Sequence, residues 1–313
     1  MPDPAQARKD FPPDGACEVP PTTVSSPPCL FGDTASPDRI VLLGDSHAGQ
    51  WFSAALAIAA ERHWGLEELV KQGCPLPQLT VTNPQLGREY RECDSWRANS
   101  LERLRTEPKP RLVMIAALNR YTEDRELLGR AWEQTLTPVR ALGVPIVYLT
   151  DTPIPGSDIP ACVSGHTTDP TACSFPRAKA SWPDPLAEAI AAGREPGVRA
   201  VEVNSVLCPG SGRDCPAVLE QVLLYRDDAH LTNVAAVVLT PRLERLLVDA
   251  GLVPARGRRR LDPAAARRLH RLAGHRRVGR DGVGERAWLG LRHHALRSGA
   301  GRPVPGAAGP RFR

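Results

Sequence analysis

No apolar run in the chain approaches the roughly 18–20 residues that a membrane span requires. The longest, around Ser53–Ala60 and Leu112–Leu118, are less than half that length, so no transmembrane helix is expected. The opening, Met1 to Asp14, is polar and proline-rich, without the apolar core of a secretory signal. Several signatures are missing as well. No Gly-x-Ser-x-Gly elbow is present, which argues against an α/β-hydrolase. There is no phosphate-cradling Gly-x-x-x-x-Gly-Lys loop and no His-Glu-x-x-His. The chain also lacks the Cys-x-x-Cys spacing common in structural zinc sites.

The net charge of +5 conceals a division. From Leu252 to Arg313, sixteen arginines face three acids (Asp262, Asp281, Glu285), a balance of +13 that leaves the first 251 residues at −8. An acidic body does not suit a nucleic-acid cleft, where phosphate neutralisation needs clustered Lys and Arg, so no nucleic-acid partner is expected. The tail, residues 252–313, is expected to be a disordered, solvated extension.

Eight cysteines fall in local pairs: Cys17/Cys29, Cys74/Cys93, Cys162/Cys173 and Cys208/Cys215. An even count at short separations points to disulfides and an oxidising compartment. Eight cysteines admit about 105 complete pairings; pairing of neighbours is the preferred one. An oxidising location conflicts with an opening that has no signal, and a signal or membrane region upstream of Met1 would reconcile them.

Residues 1–38 read as an irregular, proline-rich lead-in, followed by one domain over 39–251. Strands are expected at Arg39–Leu43, Leu66–Lys71, Leu112–Leu118, Val144–Thr150 and Val198–Val203, with one or two short ones in Val218–Tyr225. Helical patterns run from about His47 to His63, Glu89 to Arg105, Thr122 (as cap) to Leu142, Asp184 to Ala192 and Thr232 to Ala250. Residues 151–177 read as a long loop, and one Arg-rich helix is expected near Pro263–Leu272. Strands alternating with helices over short connections predict an α/β fold, a three-layer α/β/α sandwich with a mainly parallel sheet.

The first chemical signal is Val41-Leu42-Leu43-Gly44-Asp45-Ser46-His47. A buried strand ending in Gly-Asp-Ser, with a helix beginning at once, presents the Ser46 hydroxyl at the carboxyl edge of a parallel sheet, where such folds bind ligands. It also sets Ser46 at a helix N-terminus, where free N–H groups favour developing negative charge. Taken alone, the same triplet reads more readily as a helix cap or turn. The second signal is Tyr225-Arg226-Asp227-Asp228-Ala229-His230-Leu231-Thr232, just before a helix. Asp227 and His230, three apart on a tight turn, can pair so that the carboxylate orients the imidazole. A serine needs a base to become a nucleophile, and His230 supplies it. Ser46, His230 and Asp227 are therefore the candidate catalytic residues.

Together these motifs resemble the SGNH (GDSL-like) hydrolase superfamily. The Asp-Ser-His wording of the first block, the Gly73-Cys74-Pro75 segment and the Tyr225–Thr232 run more narrowly resemble the extracytoplasmic SGNH domain fused to membrane acyltransferase-3 proteins, which O-acetylate cell-surface polysaccharides. The resemblance covers roughly residues 30–250. It implies a flavodoxin-like SGNH hydrolase fold and a serine esterase or O-acyltransferase that needs no cofactor or metal. It also implies an acylated carbohydrate or sugar acceptor, a membrane acyltransferase domain as partner, and an extracytoplasmic location, soluble or tethered through that partner. Finally it implies an oxyanion hole built from the Ser46 and Gly73 backbone N–H groups and the Asn119 amide, although the third block reads Ala117-Leu118-Asn119-Arg120 instead of Gly-x-Asn-Asp.

Two other readings compete. Asp45, His47, Asp227, Asp228 and His230 are metal-ligand types, as a metal-dependent phosphoesterase would need. Trp51, Trp96, Trp132 and Tyr121 are of the type that stacks on sugars in a non-catalytic glycan-binding domain, but aromatics at helical positions more often build cores. His47 is read as a structural neighbour of the nucleophile and not as the base.

Overall fold

The computed structural model describes residues 4–14 and 17–255. The basic tail from residue 256 on, with the helix expected at Pro263–Leu272, lies outside the described residues.

A seven-stranded sheet forms the centre. Its strands are β1 (Glu18–Val19), β2 (Leu30–Gly32), β3 (Arg39–Gly44), β4 (Gly65–Lys71), β5 (Leu112–Ala116), β6 (Ile146–Leu149) and β7 (Val198–Val201). The order is β1-β4-β3-β5-β6-β7, all parallel along this path, and β2 pairs antiparallel with the start of β4. The lead-in expected to be irregular thus supplies two strands that cover the free edge of β4. Each is two or three residues long and carries no periodic signal of its own. A short helix, α1 (Pro4–Ala7), precedes them.

The central strands β3, β5 and β6 are apolar on both faces because helices cover both. Ile40 and Leu42 of β3 point into one core, with Phe52, Ile58 and Leu239. Val41 and Leu43 point into the other, with Trp96, Trp132 and Leu136. The first face carries α2 (Ser46–Gly49), α3 (Phe52–Ala60) and the last helix, Asn233–Asp249; the second carries α4 (Arg91–Thr106) and α5 (Arg125–Arg140). The result is a three-layer α/β/α sandwich.

Several boundaries differ from expectation for local reasons. The run from His47 to His63 is two helices, α2 and α3, broken at Gln50-Trp51. Asp124, not Thr122, caps α5, accepting the Leu127 N–H at 2.9 Å. The segment read as a loop, 151–177, holds α6 (Ile159–Gly165), capped by Asp158, and a 3-10 turn, Pro170–Cys173. Asp184 caps α7 (Pro185–Ala191), and Thr232 caps α8 (Asn233–Asp249). Val218–Leu219 and Val222–Leu223 form a separate hairpin.

All four neighbouring cysteine pairs are joined: Cys17–Cys29, Cys74–Cys93, Cys162–Cys173 and Cys208–Cys215. Among the described residues no helix is long and apolar enough to cross a membrane.

Candidate active site

Ser46 sits where β3 gives way to α2. The turn is so tight that a Cβ on Gly44 would lie 1.9 Å from the Ala116 carbonyl oxygen and 2.8 Å from the Ala48 Cβ. Glycine is therefore required by space at this position. Asp45 follows as the helix cap. Its Oδ1 accepts the His47 N–H at 2.8 Å, and its Oδ2 accepts from the Leu118 N–H at 2.9 Å and the Tyr121 hydroxyl at 2.8 Å. Burial pushes the Asp45 pKa up, against the opposing pull of His47 and these donors. The carboxylate ties the end of β3 to the end of β5, and its acceptor sites are taken by structure.

Its neighbour Ser46 is aimed elsewhere. The Ser46 Oγ lies 2.8 Å from His230 Nε2, across 184 positions of sequence. On the far side of the ring, His230 Nδ1 is 2.9 Å from Asp227 Oδ2. With Nδ1–H donating to the carboxylate, Nε2 is the acceptor for the serine proton. Asp227 is fixed in turn by its own loop: its Oδ1 accepts the N–H groups of Ala229 and His230 at 2.8 and 2.6 Å. Burial disfavours its charge, but the His230 ring and these N–H groups outweigh that and hold its pKa well below the usual carboxylate range. The loop is closed by Arg226 N–H on the His230 carbonyl, and the Leu231 N–H donates to Gln50 Oε1 at 2.9 Å. Gln50, one turn beyond Ser46, thus holds the two distant segments in register.

A second histidine–carboxylate pair backs the first. His47 Nδ1 is 2.7 Å from Asp151 Oδ1, and the His47 and His230 rings lie 5.0 Å apart. Burial alone would lower the His47 pKa, but the carboxylates of Asp151, Asp45 and Asp227 together raise it. Asp151 also accepts from the N–H groups of Thr152 and Asn119. It stands two residues past the end of β6, at the carboxyl edge of the sheet where functional residues of parallel sheets gather. That position is the signal by which sequence reading, which missed Asp151, can find it.

Ser46, Gly73, Asp227 and His230 line one cavity of about 530 Å³. Gly73 follows β4 with φ +58°, and the Cys74–Cys93 disulfide anchors the next residue to α4. No hydrogen bond among the described residues engages the backbone N–H of Ser46 or Gly73. Asn119 is not brought to this cavity. It is 1 % exposed, its Nδ2 donates to the Tyr148 hydroxyl at 2.9 Å, and it lines a separate pocket of about 180 Å³. The strand expected to reach Leu118 ends at Ala116, because the Leu118 N–H turns to Asp45; Asn119 then points toward β6. The side-chain amide expected in the oxyanion hole donates to Tyr148, and the Asn119 backbone N–H to Asp151.

The rival constellations separate. Trp51, Trp96 and Trp132 are buried in the two cores. Among the described residues the one group of clustered metal-ligand types is Cys162, His166 and Cys173, whose cysteines are joined in a disulfide.

A family model for the SGNH domain (fused to AT3, acyltransferase-3, domains) matches residues 16–245. A search of curated proteins returns no significant match. Among solved structures, the periplasmic domain of a lipopolysaccharide acetyltransferase from Salmonella ser. Paratyphi A is similar, with 15 % identity and a TM-score of 0.51 over 67 % of this chain and 83 % of that one. A GDSL-like lipase from Bacteroides thetaiotaomicron shares 12 % identity with a TM-score of 0.39, over 68 % and 89 % of the two chains. A family two carbohydrate esterase from Clostridium thermocellum, solved with cellohexaose, shares 13 % with a TM-score of 0.38, over 69 % and 65 %. The likeness to the Salmonella domain is one of fold. The family match spans the whole of the sheet and both motif-bearing segments, and on that ground the chain belongs to the SGNH domain family.

Proposed function

We propose that this chain is a serine-dependent O-acyltransferase or esterase acting on O-acetyl groups of cell-surface polysaccharide, through an acyl enzyme on Ser46. The observation that carries the reading is the 2.8 Å approach of Ser46 Oγ to His230 Nε2, with Asp227 behind the ring. His230 Nε2 takes the proton as Ser46 Oγ attacks the ester carbonyl. The tetrahedral oxyanion faces the Ser46 and Gly73 N–H groups, and each such donor is worth about 3 kcal/mol in the transition state. His230 returns the proton to the departing alcohol, leaving acyl-Ser46. Water or a sugar hydroxyl then gives its proton to His230 and attacks, and the serine is regenerated. Water yields an esterase and a sugar yields a transferase; the triad is the same for both.

The partner and location follow from the same reading. The matched family domain is one that occurs fused to acyltransferase-3 domains, so a membrane acyltransferase domain is the proposed source of acyl groups. Four disulfides and the periplasmic setting of the Salmonella domain support an extracytoplasmic location.

The test is hydrolysis of a small aryl acetate by wild type and by Ser46→Ala, His230→Ala and Asp227→Asn. Loss of the nucleophile or base should lower kcat by about 10⁴-fold or more, and Asp227→Asn by about 10³–10⁴-fold. Full activity in Ser46→Ala ends the serine mechanism.

A further inference from the structure

Phe11 is 58 % exposed, yet it is held in place. Asp10, beside it, accepts the Asn233 N–H on its carbonyl and the Val234 N–H on Oδ2 at 2.9 Å, so the segment caps the start of α8. The ring lies over the Arg226 guanidinium, 4.6 Å from its centre. Arg226 is buried, donates Nη1 to the Leu231 carbonyl, and sets Nε, which makes no hydrogen bond, 3.8 Å from Asp227 Oδ2. Phe11 and Arg226 line the same cavity as Ser46, and Glu18 of β1 forms another part of its wall. The Cys17–Cys29 disulfide fixes that strand. A residue pair outside the main α/β layers thus places an open aromatic face beside the nucleophile.

We infer that Phe11, backed by Arg226, and the Glu18 carboxylate form a subsite for an uncharged sugar ring of the substrate or acceptor beside Ser46. This deepens, and rests on, the acyl-transfer reading above. A pyranose has one face of C–H groups that packs on an aromatic ring, while its rim of hydroxyls donates to a carboxylate, which accepts at up to four positions. The side-chain amides of Gln72 and Gln85 on the same wall add neutral donors and acceptors. The charge of the wall sets the selection. At about pH 8, above the value of about 7 to which burial raises the Glu18 pKa, Asp14, Glu18 and Asp227 face a single guanidinium, so a uronate or phosphate entering the cavity meets net repulsion.

The experiment is calorimetric titration, at about pH 8 where the Glu18 carboxyl is ionised, of the Ser46→Ala protein with xylotetraose, a neutral probe, and with tetragalacturonate, its anionic counterpart. Xylotetraose is expected to bind at least about tenfold more tightly than tetragalacturonate. Phe11→Ala in the same background should weaken xylotetraose about tenfold, Phe11→Trp should restore it, and Glu18→Gln should narrow the gap between the probes. Equal affinity for the two probes, absence of xylotetraose binding, or a Phe11→Ala titration unchanged from its parent each overturns the subsite. The nucleophile is already absent from these proteins, so such a failure leaves the serine reading untouched; that reading falls on the activity of Ser46→Ala instead.

Discussion

His47, the residue after Ser46, meets Asp151, Nδ1 to Oδ1 at 2.7 Å, with both side chains buried. Asp151 gathers three donors from three segments: the His47 ring and the N–H groups of Asn119 and Thr152. Removing that carboxylate leaves a buried imidazole and two N–H groups unpaired, and breaking such a buried pair typically costs about 3–5 kcal/mol. Asp151→Ala is expected to lose stability on that scale in denaturant unfolding. Its kcat, measured below the unfolding transition, should fall far less than that of His230→Ala, because His47 does not contact Ser46 Oγ. Equal losses of kcat would place His47 in the proton path.

Glu68, in the middle of β4, is fully buried, and neither carboxyl oxygen has a hydrogen-bond partner among the described residues. Burial, with smaller contributions from the charges of Asp14 and Glu18, pushes its pKa up to about 9 from 4.5. The folded state therefore binds a proton that the unfolded state has released between these values. Stability from this residue is intact below pH 4.5 and drains away as pH rises toward 9. Glu68→Gln removes the proton uptake. At about pH 8 it should stabilise the fold by on the order of 4 kcal/mol, and near pH 5 it should match wild type. Chemical denaturation at the two pH values reads the difference; an equal effect at both contradicts the assignment.

The Cys74–Cys93 disulfide closes 19 positions directly after Gly73. A link of that span contributes roughly 3 kcal/mol. The paired Cys74→Ser and Cys93→Ser variant should lose about that much stability. It should also lose turnover at temperatures where it remains folded, because the Gly73 N–H is then free to leave its proposed oxyanion position. Retained turnover would remove Gly73 from that role.

The two motifs at the ends of the sheet region were legible because their chemistry is carried by contiguous residues. Gly44-Asp45-Ser46 stands on a strand end and Asp227-x-x-His230 on a turn, and each spacing alone limits where its side chains go. The middle of the chain was harder. The resemblance implies Asn119 as the residue right after a strand ending at Leu118, but the strand stops two residues earlier, where Asp45 captures the Leu118 N–H. A hydrogen bond spanning 73 positions has no local signature. Likewise β1 and β2 are too short for periodicity and exist by pairing with β4. Glu18 reaches the cavity wall through the pairing of β1 with β4, and Phe11 through the bonds of Asp10 to the start of α8, which is why a lead-in that reads as irregular lines the cavity.

The proposed chemistry rests on a single hydroxyl activated by an imidazole from the far end of the domain. Fluorophosphonate labelling of the purified protein, with peptide mapping of the adduct, tests it most directly, since the reagent reacts with an activated serine in a folded site. The expected result is one adduct, on the peptide containing Ser46, that forms much more slowly in His230→Ala. A folded protein that takes no label, an adduct on another serine, or labelling of Ser46 at the same rate without His230 would contradict the account.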